Sequence, residues 1–515
     1  MSDFNLWHDP WIRALRPDGA HVELSISALL SQAHEVRSFY DPSPLTVVGI
    51  HRLLSAILQS IYDPQSLDDI AELLEQGRFE QFRLDAFGTQ YGARFSLFDA
   101  TDPFMQTSDV PASPGKEAKT VAYLLAELPS GTNRIHFQHV TDDSHRFCPA
   151  CCARAMLTIP AFASSGGAGI KPSINGVPPI YVLPLADTLA RSLMLSLMNV
   201  DYQPKIAAKE RQAIAPWAMT DNFIPRARET LAVGYIESLT FLARRIRLYS
   251  EQEPTICTHC GTYTPQHVKS MLYEMGWSRP KGAELWKEPF AAFRTTAKGD
   301  LVGVRPIEGK ALWREYATLF LSENTAQSKE QDWRPAAFLQ IYALTVNGVL
   351  PRNQLLRFRA IGIRTDGKAK MFEWFDEGLD VPAALLHEAS GRVKVREILT
   401  RSEDLGRSMS SIFAAAFRPH KDREWFRSLR ERMIARYWTE LALPFRAMIQ
   451  QSTEEADWDA IGRTWADTLL TTARRVATHS LQQVGGDADL LRRQVQAEDK
   501  LNRELGKRRK EWIGD

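Results

Sequence analysis

Two pairs of cysteines constrain the fold of this 515-residue chain more than any other feature of its sequence. Cys148 and Cys151 lie in the segment RFCPACCAR, and Cys257 and Cys260 lie in TICTHCGT, so each pair has the spacing C-x-x-C. This spacing allows two thiolates to reach one tetrahedral metal ion, about 2.3 Å from each sulfur. Four thiolates complete a structural zinc shell that has no open position for a substrate. Because the pairs are far apart in the chain, we expect a structural Zn²⁺ that joins two distant segments.

Other uses of these thiols remain open at this point. A single C-x-x-C can be a redox motif, and the thiols can also be uninvolved in any chemistry, but two such pairs favour zinc. The fifth cysteine, Cys152, is expected to be a small buried apolar residue. His136, His139 and His145 are alternative ligands, although ordinary surface histidines are the simpler interpretation.

Composition and charge exclude several classes of protein. Hydrophobic residues make up 44% and charged residues 24% of the chain, which is typical of a soluble globular protein. The net charge of +1 gives no global field, so any contact with a polyanion needs a local basic patch. The most apolar segment, residues 46–62, contains His51 and Arg52, so we expect no membrane span. The first residues, MSDFNLWHDPW, lack the pattern of a secretory signal, and we expect a cytoplasmic protein.

The chain changes character near residue 378. Residues 1–378 mix strand-like runs, such as 180–184 and 355–363, with helical runs such as 47–61, and glycine- and proline-rich connections separate them. This pattern predicts a large, irregular α+β domain that contains the four cysteines. We therefore expect the fold class to be α+β, with a second, helical domain at residues 379–515.

The second domain is predicted to be a four-helix bundle. Glycine and proline are less frequent here, and apolar residues recur at three- and four-residue spacing. The amphipathic runs are 382–400, 422–450, 458–484 and 490–512. Basic clusters occur at residues 507–510 and at Arg423, Arg427 and Arg430, and each is either a solvated helix face or a polyanion contact.

Common catalytic motifs are missing from the sequence. It contains no G-x-x-x-x-G-K-[ST], no H-E-x-x-H and no G-x-S-x-G. His8 and Asp9 form an isolated pair without a recognisable set of further ligands. Since a four-thiolate zinc is saturated, we predict that the chain is not an enzyme.

Several local sequences together resemble the CasA family, the large subunit of the type I-E CRISPR Cascade surveillance complex. Their order and spacing match over about residues 1–375. They are NLWHDPWIRAL near the N-terminus, DPFMQT at 102–107, GTN at 131–133 before Phe137, the first cysteine pair, the glycine-rich residues 164–171, the second cysteine pair, and GIRTDGKAKMFEW at 362–374.

The resemblance implies RNA-guided recognition of double-stranded DNA. In such complexes the guide RNA reads the target by base pairing, and the protein reads a short flanking motif, the PAM. The family reads this motif from the minor groove, grips the 5′ handle of the guide RNA, contacts backbone and small subunits, and recruits a separate helicase-nuclease. The alternatives are a purely architectural zinc-stapled subunit and, less favoured, a stand-alone zinc-containing enzyme.

The resemblance assigns two sets of residues to PAM reading. The first is the glycine loop, residues 165–171, in which Gly167, Ala168 and Gly169 let the backbone approach the groove and Lys171 neutralises a phosphate. The second is Lys269, shortly after the second cysteine pair. The alternative interpretations are a plain surface turn and a solvated lysine.

A hairpin tip and a loop complete the expected nucleic-acid contacts. The tip comprises Asp366, Gly367, Lys368 and Ala369, and Asp-Gly suits a type I′ turn. The family usually has a glutamine wedge at this tip, whereas this sequence has Gly367 and Lys368 in its place. In the loop, Asn133 and Phe137 are expected to hold the handle of the guide RNA, with Phe137 as a stacking platform; the alternative for Phe137 is anchoring of the loop to the core.

Overall fold

The computed structural model divides the chain into two compact units. The first, the α+β unit, consists of Met1–Pro306, Asn324–Leu344 and Phe358–Gly378, and the second, the helical unit, consists of Ile307–Glu323, Thr345–Arg357 and Leu379–Asp515. The structure describes residues 4–111, 113–128, 144–164, 171–204, 215–219, 224, 226–230, 233–296, 298–321, 332–366, 371–418, 423–452 and 455–514.

Short strands and helices alternate through the first 378 residues. The strands are β1 (Ile12–Leu15), β2 (His21–Leu24), β3 (Ser38–Phe39), β4 (Lys119–Thr120), β5 (Tyr181–Leu185), β6 (Arg228–Glu229), β7 (Arg244–Glu251), β8 (Thr255–Ile256), β9 (Tyr263–Thr264), β10 (His267–Met275), β11 (Trp277–Ser278), β12 (Phe293–Thr295), β13 (Leu301–Gly303), β14 (Asp332–Trp333), β15 (Leu355–Thr365) and β16 (Met371–Pro382). The helices are α1 (Ile26–Ser31), α2 (Pro44–Tyr62), α3 (Leu67–Gln76), α4 (Gln81–Tyr91), α5 (Pro149–Met156), α6 (Ile159–Phe162), α7 (Leu189–Met194), α8 (Tyr235–Leu239) and α9 (Ala336–Val346).

The strands form several small sheets rather than one large one. In the described residues the strand orders are β2-β1-β3, β4-β10-β7, β13-β12-β14 and β16-β15-β5, with two-stranded pairs β11-β6 and β8-β9. An extended ladder pairs β7 with β10 in antiparallel register, from His267 opposite Glu251 to Met275 opposite Arg244. Most side chains of β7 are buried, so this ladder is a rigid base for the segments that attach to it.

Helix α2 is the core helix of the α+β unit. Proline at its first position suits a helix start, and most of its residues are buried on all faces. It is long and apolar enough to pass for a membrane span, but this composition is accounted for by burial inside the unit. Its buried Arg52 forms an ion pair of 2.6 Å with Glu288, and its neighbour His51 contacts the Ser196 hydroxyl at 2.9 Å.

His51 predicts how the stability of the α+β unit depends on pH. Burial, with a smaller effect of the neighbouring Arg52 charge, lowers the pKa of His51 from 6.5 to about 3. Between these two pH values His51 is protonated in the unfolded chain but not in the folded chain. The free energy of unfolding should therefore decrease as the pH falls from 6.5 towards 3. Chemical denaturation at several pH values measures this slope. The variant His51→Gln should flatten it, and an unchanged slope in that variant would contradict the prediction.

The helical unit contains a four-helix bundle at its C-terminal end, as its periodicity predicts. In the described part of the chain, α10 (Ala383–His387) is followed by four long helices: α11 (Ala389–Phe417), α12 (Arg423–Gln450), α13 (Trp458–Gln482) and α14 (Ala488–Trp512). The side chains of Asp457 and Asp487 cap α13 and α14 by accepting backbone N–H groups of the first turn. The predicted fold class, α+β with a helical C-terminal bundle, is therefore confirmed.

Two details of the helical unit differ from the sequence-based prediction. The first long helix does not end at residue 400, because Leu405, Met409, Phe413 and Phe417 continue its buried face after a polar stretch. Gly406 lets α11 approach α12 closely, since a Cβ there would lie 2.9 Å from the Trp438 ring.

The second difference concerns residues 307–323 and 345–357, which the predicted boundary at 378 puts in the N-terminal domain. Both segments belong to the helical unit. Trp313 packs on the ring of Phe445 with centroids 4.8 Å apart, and the Tyr316 hydroxyl donates to the Asp380 carbonyl at 2.9 Å. The apolar pattern of these two segments indicates that they are buried, but it does not indicate which of the two units contains them. The domain boundary itself stays a prediction.

Candidate metal centre and nucleic-acid interface

The four predicted cysteines come together in the α+β unit. The sulfur atoms of Cys148, Cys151, Cys257 and Cys260 all lie within 4.8 Å of one another, and those of Cys148 and Cys260 are 3.8 Å apart. Four sulfurs bound at 2.3 Å to a tetrahedral zinc lie about 3.8 Å apart. The geometry of the cluster therefore fits one Zn²⁺.

Local backbone structure forms both halves of the cluster. Cys148 precedes α5, and Pro149 occupies the first position of that helix. The second half is a tight turn between β8 and β9, in which Gly261 has a φ of +75° and its N–H donates to the Cys257 carbonyl at 2.9 Å. A glycine is needed here because other residues adopt positive φ only at a cost. Across the cluster, the Cys148 N–H donates to the Cys257 sulfur at 3.3 Å.

The charges of the thiols also fit a divalent cation. Hydrogen bonds with Cys148 and Cys257, together with burial, hold the pKa of Cys151 well above its usual value. Hydrogen bonds from Cys148 and Cys151 hold the pKa of Cys257 well below its usual value. Four sulfurs this close together ionise jointly only beside a cation, and a Zn²⁺ would stabilise all four as thiolates. Because the four sulfurs fill a tetrahedral shell, the ion would serve structure rather than chemistry on a substrate.

Cys152 lies outside the cluster, as predicted. It is fully buried, and its sulfur lies 3.9 Å from the Phe147 carbonyl rather than beside the other four sulfurs. Of the alternative histidine ligands, His145 stacks edge-on against the Phe147 ring and is not among the clustered ligand atoms. His136 and His139 lie outside the described residues.

The cluster is joined directly to the strand that carries Lys269. Phe147, next to Cys148, pairs with Val268 of β10 through two backbone hydrogen bonds of 3.0 and 2.8 Å. Between Val268 and Ser270 the register of the ladder shifts, so Lys269 is the bulged residue. A bulge redirects a side chain and leaves the pairing locally open. Lys269 is half-buried and has no hydrogen-bond or ion-pair partner among the described residues.

The residues at the two ends of the glycine loop contact a single cross-strand residue pair of the β7–β10 ladder. The guanidinium of Arg244 donates to the carbonyl of Ser164, just before the loop, at 2.7 Å. The N–H of Lys171, at the end of the loop, contacts the sulfur of Met275 at 3.3 Å. Arg244 and Met275 are directly paired across the ladder. The glycine loop and Lys269 are therefore both held by the same strand, β10.

Lys171 forms an ion pair within the chain that the sequence alone does not reveal. Its ammonium group forms an ion pair with the Glu229 carboxylate, and both side chains are nearly half exposed. To neutralise a phosphate, Lys171 would have to exchange this partner, which costs little for an exposed pair.

The predicted hairpin is present, although its tip is only partly described. β15 and β16 are neighbours in one sheet, and the cross-strand ion pairs Arg359–Asp376 and Arg364–Glu373 run in opposite order along the two strands. This order identifies an antiparallel hairpin. Asp366 is exposed at the end of β15. Gly367, Lys368 and Ala369 lie outside the described residues, as do Gly167, Ala168 and Gly169 of the glycine loop and Asn133 and Phe137 of the handle loop.

The segment DPFMQT has a structural role. Phe104 stacks on Phe95 with ring centroids 4.8 Å apart. The Gln106 amide donates to the Leu97 carbonyl at 2.7 Å and accepts from the Leu248 N–H at 2.8 Å. The segment therefore ties β7 to the preceding loop and contributes to the rigidity of the β7–β10 ladder.

The basic clusters of the bundle differ in their pairing. In the segment 507–510, Arg508 contacts Glu504 at 2.8 Å and Arg509 contacts Asp467 at 3.3 Å, which favours a solvated helix face. Arg427 is also paired with Glu424, at 3.3 Å. Arg423 and Arg430 line a small cavity floored by phenylalanines, so for this cluster both interpretations remain open.

Comparison with known proteins identifies the class of protein to which this fold and cysteine cluster belong. A family model described as CRISPR-associated protein Cse1 matches residues 5–476. A CRISPR-associated protein CasA/Cse1 from Thermus thermophilus is 27% identical over 98% of both chains. Cse1 from Acidimicrobium ferrooxidans has a similar structure, with a TM-score of 0.77, 20% identity and coverage of 99% of each chain. A chain of a solved CRISPR RNA-guided surveillance complex has a TM-score of 0.72, 19% identity and coverage of 97% of this chain and 99% of its own.

These matches define a CRISPR-associated protein. Because the family model covers most of the sequence, the chain belongs to the Cse1 family, also called CasA. The resemblance predicted from the sequence motifs is thereby confirmed.

Proposed function

We propose that this chain is the non-catalytic large subunit of a type I-E CRISPR Cascade complex, and that it reads the PAM of double-stranded DNA from the minor groove and starts duplex opening. Its partners would be guide RNA, target DNA, the backbone and small subunits and a separate helicase-nuclease, in the cytoplasm. Membership of the Cse1 family and the likeness to a chain of an RNA-guided surveillance complex support the assembly.

The main support for DNA reading is that Lys269 and the glycine loop are both anchored to β10. Lys269 is bulged out of β10 beside the cysteine cluster, and the loop is attached at the far end of the same strand. A rigid platform that presents an unpaired lysine and a loop of small residues suits close approach to a groove. Zn²⁺ would fix this platform through Cys148 and its neighbour Phe147, which pairs with β10.

The hairpin tip would then act after the PAM is bound. Exchange of a DNA duplex for an RNA–DNA heteroduplex is nearly balanced in free energy, so a small local opening decides whether a site is sampled. Asp366 is exposed at the start of the tip, and Lys368 would enter the opened duplex or hold a phosphate of the displaced strand. Asn133 and Phe137 would hold the handle of the guide RNA.

The test is binding of the guide-loaded complex to duplex DNA with a randomised flank. Binding is measured with and without this chain, at two salt concentrations. We expect flank-dependent binding that requires the chain and survives moderate salt. Binding that ignores the flank and collapses with salt would contradict PAM reading, because it would reflect phosphate contacts alone, and it would favour a purely architectural subunit.

Lys269→Ala should reduce discrimination between flanks. A groove contact of this kind contributes about five- to a hundred-fold to the preference for the correct base pairs. Binding to DNA without a PAM should change little. The matched control is Lys281→Ala, which removes an exposed lysine of the same unit. An equal loss of affinity for all flanks, with a salt slope lower by about one, would instead identify Lys269 as a phosphate contact.

A further inference from the structure

A cavity of about 230 Å³ lies in the α+β unit beside the anchored end of the glycine loop. Part of its lining is apolar and comes from α6 and the strands of the hairpin, and two tyrosines and two basic residues also line it. The lining residues include Tyr123, Tyr273, Arg244, Lys119, Ile159, Phe162, Ser164, Ile363, Thr365 and Met371.

Arg244 gives this cavity a positive charge that no acidic side chain among the described residues neutralises. Its side chain is 98% buried, and its two terminal nitrogens donate to the carbonyls of Ala243 and Ser164 at 2.9 and 2.7 Å. Its Nε has no hydrogen-bond partner, and none of the described residues that line the cavity is acidic. A buried arginine without a carboxylate is costly, so its charge points to an anionic ligand.

The two tyrosines provide a surface for an aromatic ligand. The rings of Tyr123 and Tyr273 are half-buried, with centroids 6.0 Å apart and planes at 45°. Their hydroxyl groups have no hydrogen-bond partner among the described residues. Lys119, which is exposed, adds a second positive charge. A planar group flanked by a negative charge matches this lining, and a nucleotide has both.

The cavity also lies where three segments with expected nucleic-acid contacts begin or end. Ser164 immediately precedes the glycine loop, Thr365 immediately precedes the hairpin tip, and Leu128 leads into the handle loop. The cavity is smaller than the roughly 300–1,000 Å³ of typical small-molecule sites, which suits one base of a longer chain.

We propose that this cavity captures a single unstacked nucleotide, with its base against Tyr123 and Tyr273 and its phosphate towards Arg244 and Lys119. This inference rests on the proposed function, because guide RNA and locally opened DNA are the sources of such a nucleotide. Capture would hold the first separated nucleotide in place while guide pairing begins, or would fix the handle of the guide.

The experiment uses the assembled, guide-loaded complex and the fluorescent base 2-aminopurine. The label is placed singly at each position of the guide handle and at each of the first positions beside the PAM in both DNA strands. At the captured position, Tyr273→Leu and Tyr123→Leu should each increase the fluorescence by removing a stacking partner. They should also weaken binding of that strand by about 5- to 100-fold. A response in the guide identifies RNA as the source, and a response in a DNA strand identifies DNA.

Two controls separate stacking from general damage. Tyr273→Phe keeps the ring and should preserve the signal, and Tyr91→Leu replaces a half-buried tyrosine that does not line the cavity. If no labelled position responds to the leucine variants while binding still depends on the flank, capture is overturned and the proposed function stands. If the unaltered complex binds no duplex DNA through this chain, both are overturned.

Discussion

Cys257→Ser is expected to abolish zinc binding and to lower the free energy of unfolding of the α+β unit by at least about 4 kcal/mol. Structural zinc contributes roughly 10–16 kcal/mol in zinc-finger peptides, where little else holds the fold. Here the two segments are also joined by the Phe147–Val268 hydrogen bonds and by the Thr258 N–H, which donates to the Arg146 carbonyl at 2.8 Å. The effect should therefore be smaller than in a finger but still large, since three thiols, two of them buried, would be left without their cation.

Metal content and thermal unfolding of the purified chain test this prediction. The unaltered protein should contain one zinc per chain, and Cys257→Ser should contain none and unfold at a lower temperature. Cys152→Ala is the matched control, because Cys152 is equally buried but lies outside the cluster, and it should keep the full zinc content. Retention of zinc and of thermal stability in Cys257→Ser would show that the four sulfurs do not form a metal site.

The same substitution should also weaken flank-dependent DNA binding. Cys148 is next to Phe147, and the partner of Phe147, Val268, is next to Lys269. Loss of the metal would release this connection and with it the position of the bulged lysine.

The cysteine cluster was predictable because its signal is local. The spacing within each C-x-x-C pair identifies its two ligands, and the fold is needed only to bring the two pairs together. The bundle was predictable for a similar reason, since apolar periodicity directly reports a buried helix face. The predicted run 382–400 is too short for α11, because the apolar pattern resumes at Leu405 only after five polar residues, 400–404.

The platform under the candidate DNA-binding residues could not be predicted in the same way. The bulge at Lys269 is a property of how β10 pairs with β7, and neither strand alone indicates where the register shifts. The contact between Arg244 and the Ser164 carbonyl joins residues 80 positions apart, and the run Arg244, Arg245 and Arg247 looks like an exposed basic patch in the sequence. All three side chains are buried, which only the tertiary structure reveals.

Glu288→Gln is expected to destabilise the α+β unit by roughly 3–5 kcal/mol, because it leaves the buried Arg52 without a compensating charge. The Arg52–Glu288 distance is 2.6 Å, and both side chains are at most 1% exposed. Glu288 also accepts from the Asn175 amide at 3.3 Å. That amide in turn contacts the hydroxyl of Tyr181 at 2.9 Å, and this hydroxyl donates to the Ala161 carbonyl at 3.0 Å.

This network links overall stability to the candidate DNA-binding loop. Ala161 and Asn175 stand on either side of the glycine loop, so a broken ion pair should loosen both of its flanks as well as the core. The denaturant midpoint and slope measure the first effect, and flank-dependent binding measures the second. Asp376→Asn is the control, since it breaks the partly exposed Arg359–Asp376 pair of the same unit and should cost only about 0.2–1 kcal/mol.

A double variant distinguishes the cost of an unpaired charge from the value of the pair itself. Arg52→Met combined with Glu288→Leu removes both charges and keeps the volume apolar, and such replacements are often neutral or stabilising. We expect it to recover most of the stability lost in Glu288→Gln, while flank-dependent binding stays impaired because the Asn175 amide has lost its carboxylate acceptor and keeps only the Tyr181 hydroxyl. If the double variant is as unstable as Glu288→Gln, the loss comes from packing rather than from the orphaned guanidinium. If its DNA binding is fully restored, the Asn175 contact does not hold the glycine loop.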